Sequence, residues 1–113
     1  MLGRDNSENF YLHNMSALII ATRQDANYLS FLNALNALAD QAMVMVARMG
    51  VGTTYLTDMI SDYKVTIFLD KGLISTDYKI KIERNGEPIF ETKRSFFKTL
   101  GSHCQDIMTF IFH

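Results

Sequence analysis

Apolar residues fall at 4-3-4-3-4 spacing from Phe31 through Leu35, Leu38, Ala42 and Met45 to Met49, the repeat of a helix with one buried stripe. The pattern predicts a helix over residues 26–49, with Asp25 as its N-cap and Gly50 ending it. Ser30, Asn33 and Asp40 outline its solvated side, and Arg48 suits the negative end of its dipole. Between residues 42 and 47 the run Ala-Met-Val-Met-Val-Ala leaves no polar side, so cover is required from more than one direction. Either a place at the centre of the fold or a subunit interface would supply that cover; in the second case Met43, Val44, Met45, Val46 and Met49 are the expected interface of a symmetric homodimer.

Upstream, Phe10-Tyr11-Leu12 and residues 17–21, with β-branched Ile19 and Ile20 at their centre, suggest two short strands. The competing reading makes Ser16 the cap of a helix that runs into the long one. The polar stretch at 22–27, where the apolar stripe lapses, favours a break. Downstream of Gly52, Thr53 or Thr54 is placed to cap a short helix through Asp62 that buries Tyr55, Leu56, Met59 and Ile60.

From Tyr63 the period becomes two-fold. Val65, Ile67 and Leu69 alternate with Thr66 and Phe68, and Asp70-Lys71-Gly72 supplies a turn. Tyr78, Ile80 and Ile82 then point one way, with Lys79, Lys81 and Glu83 the other. Asn85-Gly86 is a strong hairpin signal because both residues tolerate positive φ. Pro88 opens a shorter strand over residues 89–92 and suits a sheet edge. The last segment returns to helical spacing through Phe97, Leu100, Cys104, Ile107 and Ile111. A strand over residues 107–112 is the alternative there.

The predicted fold is α+β: a three-stranded antiparallel meander at 64–92, extended by the N-terminal strands, packed against the long helix (26–49) and a C-terminal helix. This element order resembles the profilin-like plan of roadblock and longin modules, in which helices cover a five-stranded sheet. At 113 residues the chain is expected to form one domain, 1–113, with a single core.

Composition narrows the function classes. The net charge of −1 provides no global field for nucleic acid or acidic lipid. One cysteine excludes an internal disulfide. Residues 1–14 carry Arg4, Asp5 and Glu8 without the apolar core of a secretory leader. The cytoplasm, of a cell or an infected host, is the expected compartment, with no membrane contact.

Candidate chemistry is sparse. His103 and Cys104 are adjacent, but helix neighbours point about 100° apart and cannot meet. A buried, inert thiol is the ordinary reading of Cys104 on its stripe. His13, His103 and His113 share no metal-ligand spacing. Asp58 and Asp62, at i and i+4 of the expected short helix, read as a solvated acidic face. Gly50-Val51-Gly52 follows a helix instead of opening one, so it cannot aim amides at a phosphate. No metal, cofactor or catalytic residue is expected, and the chain does not read as an enzyme.

Charge distribution is more informative. Residues 1–70 hold four Lys/Arg against seven Asp/Glu, and residues 71–113 hold seven against five. Lys79, Lys81, Lys93, Arg94 and Lys98 would form one positive, partner-binding patch for phosphates or an acidic protein surface if the last helix starts beside the strand's polar face. The plain alternative is lysines that keep a sheet soluble. The expected function is a small non-enzymatic protein-binding module, an inhibitor or adaptor of the sort phages and mobile elements encode. The alternative is a nucleic-acid-binding module using the basic residues. Tyr78 points away from Lys79 and Lys81, which counts against base stacking.

Overall fold

The computed structural model describes the backbone of residues 8–95 and 98–112, and the side chains of residues 26–95 and 98–112. Six elements follow in order: α1 (Glu8–Arg48), β1 (Gly52–Ile60), β2 (Tyr63–Lys71), β3 (Thr76–Arg84), β4 (Glu87–Glu91) and α2 (Leu100–Phe112). The four strands form one antiparallel sheet in the order β1-β2-β3-β4. The fold is α+β. The chain divides into two units between Ser30 and Phe31, with α1 contributing to both. The sheet and α2 belong to the second unit, Phe31–His113.

Two expectations are corrected. Residues 10–12 and 17–21 are helix, as is the polar stretch at 22–27. Residues 4–49 contain neither glycine nor proline, so nothing interrupts the hydrogen-bond ladder once it starts. A lapse in the apolar stripe removes cover from a helix without ending it. The expected short helix at 53–62 is β1. Its nine residues pair in unbroken register with β2, from Gly52 opposite Lys71 to Ile60 opposite Tyr63. Ser61 takes φ of 56° in the tight turn between them. Because α1 comes first and the four strands are consecutive, the order departs from the profilin-like plan.

Two boundaries shift as well. Asp25 is not an N-cap, because α1 starts at Glu8 and runs through it, and β2 continues through Lys71, so the turn expected at residues 70–72 falls at 72–75. The hairpin, edge-strand and C-terminal helix readings hold. Asn85 and Gly86 have φ of 53° and 82°, the two positive values that a two-residue hairpin turn of this kind requires. Pro88 lies in β4, on the sheet edge, opposite Glu83 beside a bulge. α2 begins at Leu100, where Thr99 caps it: its hydroxyl accepts from Ser102 N–H at 3.1 Å. Phe97, placed in this helix by its spacing, lies outside the described residues, as does His113.

Register places Leu56, Val65, Ile67, Leu69, Tyr78, Ile80, Ile82 and Phe90 on one face of the sheet. The buried residues Phe31, Leu35, Leu38, Ala42 and Val46 of α1, and Leu100, Cys104, Ile107 and Met108 of α2, complete the core with it. Phe31 meets the edges of Tyr63 and Phe112, and Phe90 stacks on Phe110 at 4.4 Å. The stretch Ala26–Arg48 is long and apolar enough to cross a membrane by length and composition. Phe31, Leu35, Leu38 and Ala42 are nonetheless spent on the protein core.

Candidate functional site

The opposite face of the sheet carries Thr53, Tyr55, Thr57 and Met59 of β1, Lys64, Thr66, Phe68 and Asp70 of β2, and Asp77, Lys79, Lys81 and Glu83 of β3. The contacts that α2 and residues 31–48 make with the sheet run to the core face: Tyr78 to Met43, Tyr63 to Phe31, Phe90 to Phe110, Thr92 to His103. Side chains on the outer face contact one another. Tyr55 lies beside Phe68, ring centres 6.2 Å apart, and Thr57 and Thr66 share a hydroxyl hydrogen bond of 3.0 Å. Tyr55 stays 61% exposed and Met59 59%.

Lys79 and Lys81 belong to this outer face, with ammonium groups 4.9 and 5.7 Å from the Phe68 ring centre. Each has an acid. Lys79 pairs with Glu91 at 3.1 Å, and Lys81 approaches Glu83 at 4.0 Å, which Lys64 also approaches at 4.0 Å. Arg94 reaches Asp70 at 3.1 Å. Lys98 instead pairs with Asp106 of α2, and it lines a cavity shared with Tyr78 and Cys104, whose side chains lie on the core side. Lys93 is exposed and has no acidic partner among the described residues. The structure therefore brings Lys79, Lys81 and Arg94 into contact with the outer face, leaves Lys98 apart, and supplies acids to four of the five. Lys93 and Arg94 precede α2, which begins only at Leu100.

The five expected interface residues of α1 divide. Val46 is buried against the core. Met45 and Met49 are half-buried. Met43 and Val44 are exposed, although the Met43 sulfur accepts the Tyr78 hydroxyl hydrogen bond at 3.4 Å. The apolar circumference read from residues 42–47 is thus half core and half surface.

Between α1, β3 and the start of α2 lies a cavity of about 510 Å³, lined by Asp40, Met43, Tyr78, Lys98, Leu100 and Cys104 among others. Burial, assisted by the Asp40 carboxylate, pushes the Cys104 thiol up to about 11, so it is protonated and unreactive at neutral pH. Burial raises the Tyr78 phenol as well. His103 is fully buried. Its Nδ1 is 2.7 Å from Thr92 Oγ1, which also accepts the Ile80 N–H at 2.9 Å. Its Nε2 is buried without a partner among the described residues. Burial first, and Lys98 second, lower its pKa below the ordinary value, against a smaller opposing pull from Asp106.

Asp58 and Asp62 do not share a helical face, because β1 replaces that helix. Asp58 turns its Oδ1 back to the Met59 N–H at 2.8 Å, and Asp62 stands in the following turn. No group of three metal-ligating side chains occurs among the described residues.

Sequence reasoning missed Tyr55, Met59 and Phe68 as a surface. The alternation of Thr53, Tyr55 and Thr57 was the available signal for a strand. It also missed Lys71, whose ammonium donates to Val46 O at 2.6 Å and Met49 O at 2.8 Å, closing the C-terminus of α1. Compared with known protein families, curated proteins and solved structures, the chain matches none.

Proposed function

We propose that this chain is a small non-enzymatic protein-binding module, an inhibitor or adaptor, whose docking surface is the outer sheet face around Tyr55, Phe68 and Met59. One observation carries the reading. Tyr55 and Met59 stand exposed beside the half-buried Phe68 ring, on a sheet face where the neighbouring lysines are already matched by Glu91 and Glu83. Aromatic residues and methionine are the types enriched at protein interfaces. A face with balanced charge suits a protein partner better than a phosphate backbone, which rewards unpaired cations. Lys79 and Lys81 also occupy the space over Phe68 that a stacked base would need. The cytoplasm, of a cell or an infected host, is the compartment that goes with this reading, and the homodimer remains part of it through Met43 and Val44.

The test is capture from lysate, with and without nuclease, by the wild-type chain and by the double variant Tyr55→Ser/Met59→Ser. Both positions are exposed, so the variant's stability should stay within about 1 kcal/mol of wild type. A protein retained by wild type, lost with the variant and indifferent to nuclease is the expected result. Retention that disappears with nuclease would transfer the surface to nucleic acid.

A further inference from the structure

The β2–β3 connection, residues 72–75, closes on a backbone hydrogen bond from Gly72 N–H to Ser75 O at 2.8 Å. It is tight: a Cβ on Gly72 would lie 3.1 Å from that oxygen. The two residues it presents, Leu73 and Ile74, are 93% and 96% exposed, the most exposed large apolar side chains among those described. Connecting loops ordinarily place polar and turn-forming residues in this position. Val51 adds a third exposed apolar side chain. Gly52 pairs with Lys71, so Val51 leaves the sheet at the same end as this loop.

Charge sorts along the strands in the same sense. At the loop end, Arg48 and Lys93 have no acidic partner among the described residues, and Lys71 is engaged by backbone carbonyls. Lys93 belongs to this end because Thr92 N–H donates to Ile80 O and the chain continues antiparallel to β3. Arg94 is matched by Asp70, leaving Asp77 as the opposing carboxylate. At the far end, Asp62 and Glu87 have no basic partner among the described residues, and Arg84, the cation there without an acid, lies over the Tyr63 ring at 4.6 Å, so the unmatched charge at that end is net negative.

We infer that the loop end of the sheet docks on an anionic lipid bilayer, with Leu73 and Ile74 entering the boundary between headgroups and acyl chains while Arg48 and Lys93 face the lipid phosphates. Surface attachment needs two signals, apolar insertion and basic charge, because either alone holds a protein only marginally. Both occur here within one end of the molecule. An apolar cleft in a partner protein would accept the tip without needing the flanking cations. The expectation of no membrane contact drew on the net charge of −1, a property of the whole chain, whereas the loop end concentrates its cations locally beside an apolar tip. This surface is separate from the outer sheet face, and its test does not depend on that one.

The experiment is co-sedimentation of the full chain with vesicles of equimolar phosphatidylcholine and phosphatidylserine, alongside vesicles of phosphatidylcholine alone. Binding to the anionic vesicles that weakens with salt is expected. Leu73→Ser/Ile74→Ser should weaken it by about tenfold or more with unchanged thermal unfolding, since both side chains are solvated. Arg48→Gln and Lys93→Gln should each cost about fivefold on anionic vesicles. Failure of the wild-type chain to sediment with either vesicle, or undiminished binding by the double serine variant, would overturn the proposal. The first outcome would leave the tip to a protein cleft.

Discussion

The Nδ1 of His103 and the Oγ1 of Thr92 meet 2.7 Å apart inside the core, joining α2 to the segment that follows β4. Thr92 Oγ1 also satisfies the Ile80 N–H, so a histidine, a hydroxyl and a strand amide form one buried polar network. Such networks stabilise when satisfied and are costly when a partner is removed. Here the second imidazole nitrogen stays buried without a partner among the described residues, which makes the ring the sensitive member.

Acid should find this weakness. The folded-state pKa of His103 lies below its ordinary value of 6.5, so as pH falls past that value the unfolded chain takes up a proton that the folded chain resists. The stability that His103 contributes is complete above the unfolded pKa and declines as pH drops toward the folded one. Urea unfolding between pH 8 and pH 5 should show this loss, and His103→Gln should flatten that part of the profile at a cost of about 1–2 kcal/mol at pH 8. An unchanged profile in the variant would assign the acid sensitivity to other groups.

Lys71 should matter more than its place at a strand end suggests. Its ammonium donates to two carbonyls in the last turn of α1, where positive charge also opposes the negative end of the helix dipole. Lys71→Met keeps the stem and removes both charge-assisted bonds. The expected loss is about 1–2 kcal/mol in denaturant unfolding. A change below about 0.3 kcal/mol would mean that the exposed carbonyls find water equally good.

Neighbouring positions on α1 should respond in opposite ways. Val44 is 50% exposed, whereas Ala42 is fully buried. Ala42→Glu should prevent folding, because it buries an unpaired charge. Val44→Glu should leave the fold intact, within about 0.5 kcal/mol, and convert the proposed homodimer into a soluble monomer. Light scattering reads the outcome: a wild-type chain that is monomeric at high concentration would refute the dimer.

Local pattern alone determined a good part of this protein. The alternation of Val65, Ile67 and Leu69, and of Tyr78, Ile80 and Ile82, specified two strands and their buried face. Asn85-Gly86 specified the turn that follows, Gly50 the end of the long helix, and the stripe through Cys104 a buried thiol. Each rests on residues within a few positions of one another, where side-chain period and φ preference act directly. Tertiary structure decided the rest. Tyr55, Leu56, Met59 and Ile60 satisfy a short helix as readily as a strand, and only the distant pairing of Leu56 with Ile67, and its neighbours in register, settles β1. The same nonlocal step put Tyr55 beside Phe68, gave Lys79 and Arg94 their acids, and carried Lys71 to the end of α1. Charge pairing and surface exposure depend on which residues the chain brings together from far apart, and periodicity along the chain does not encode those distances.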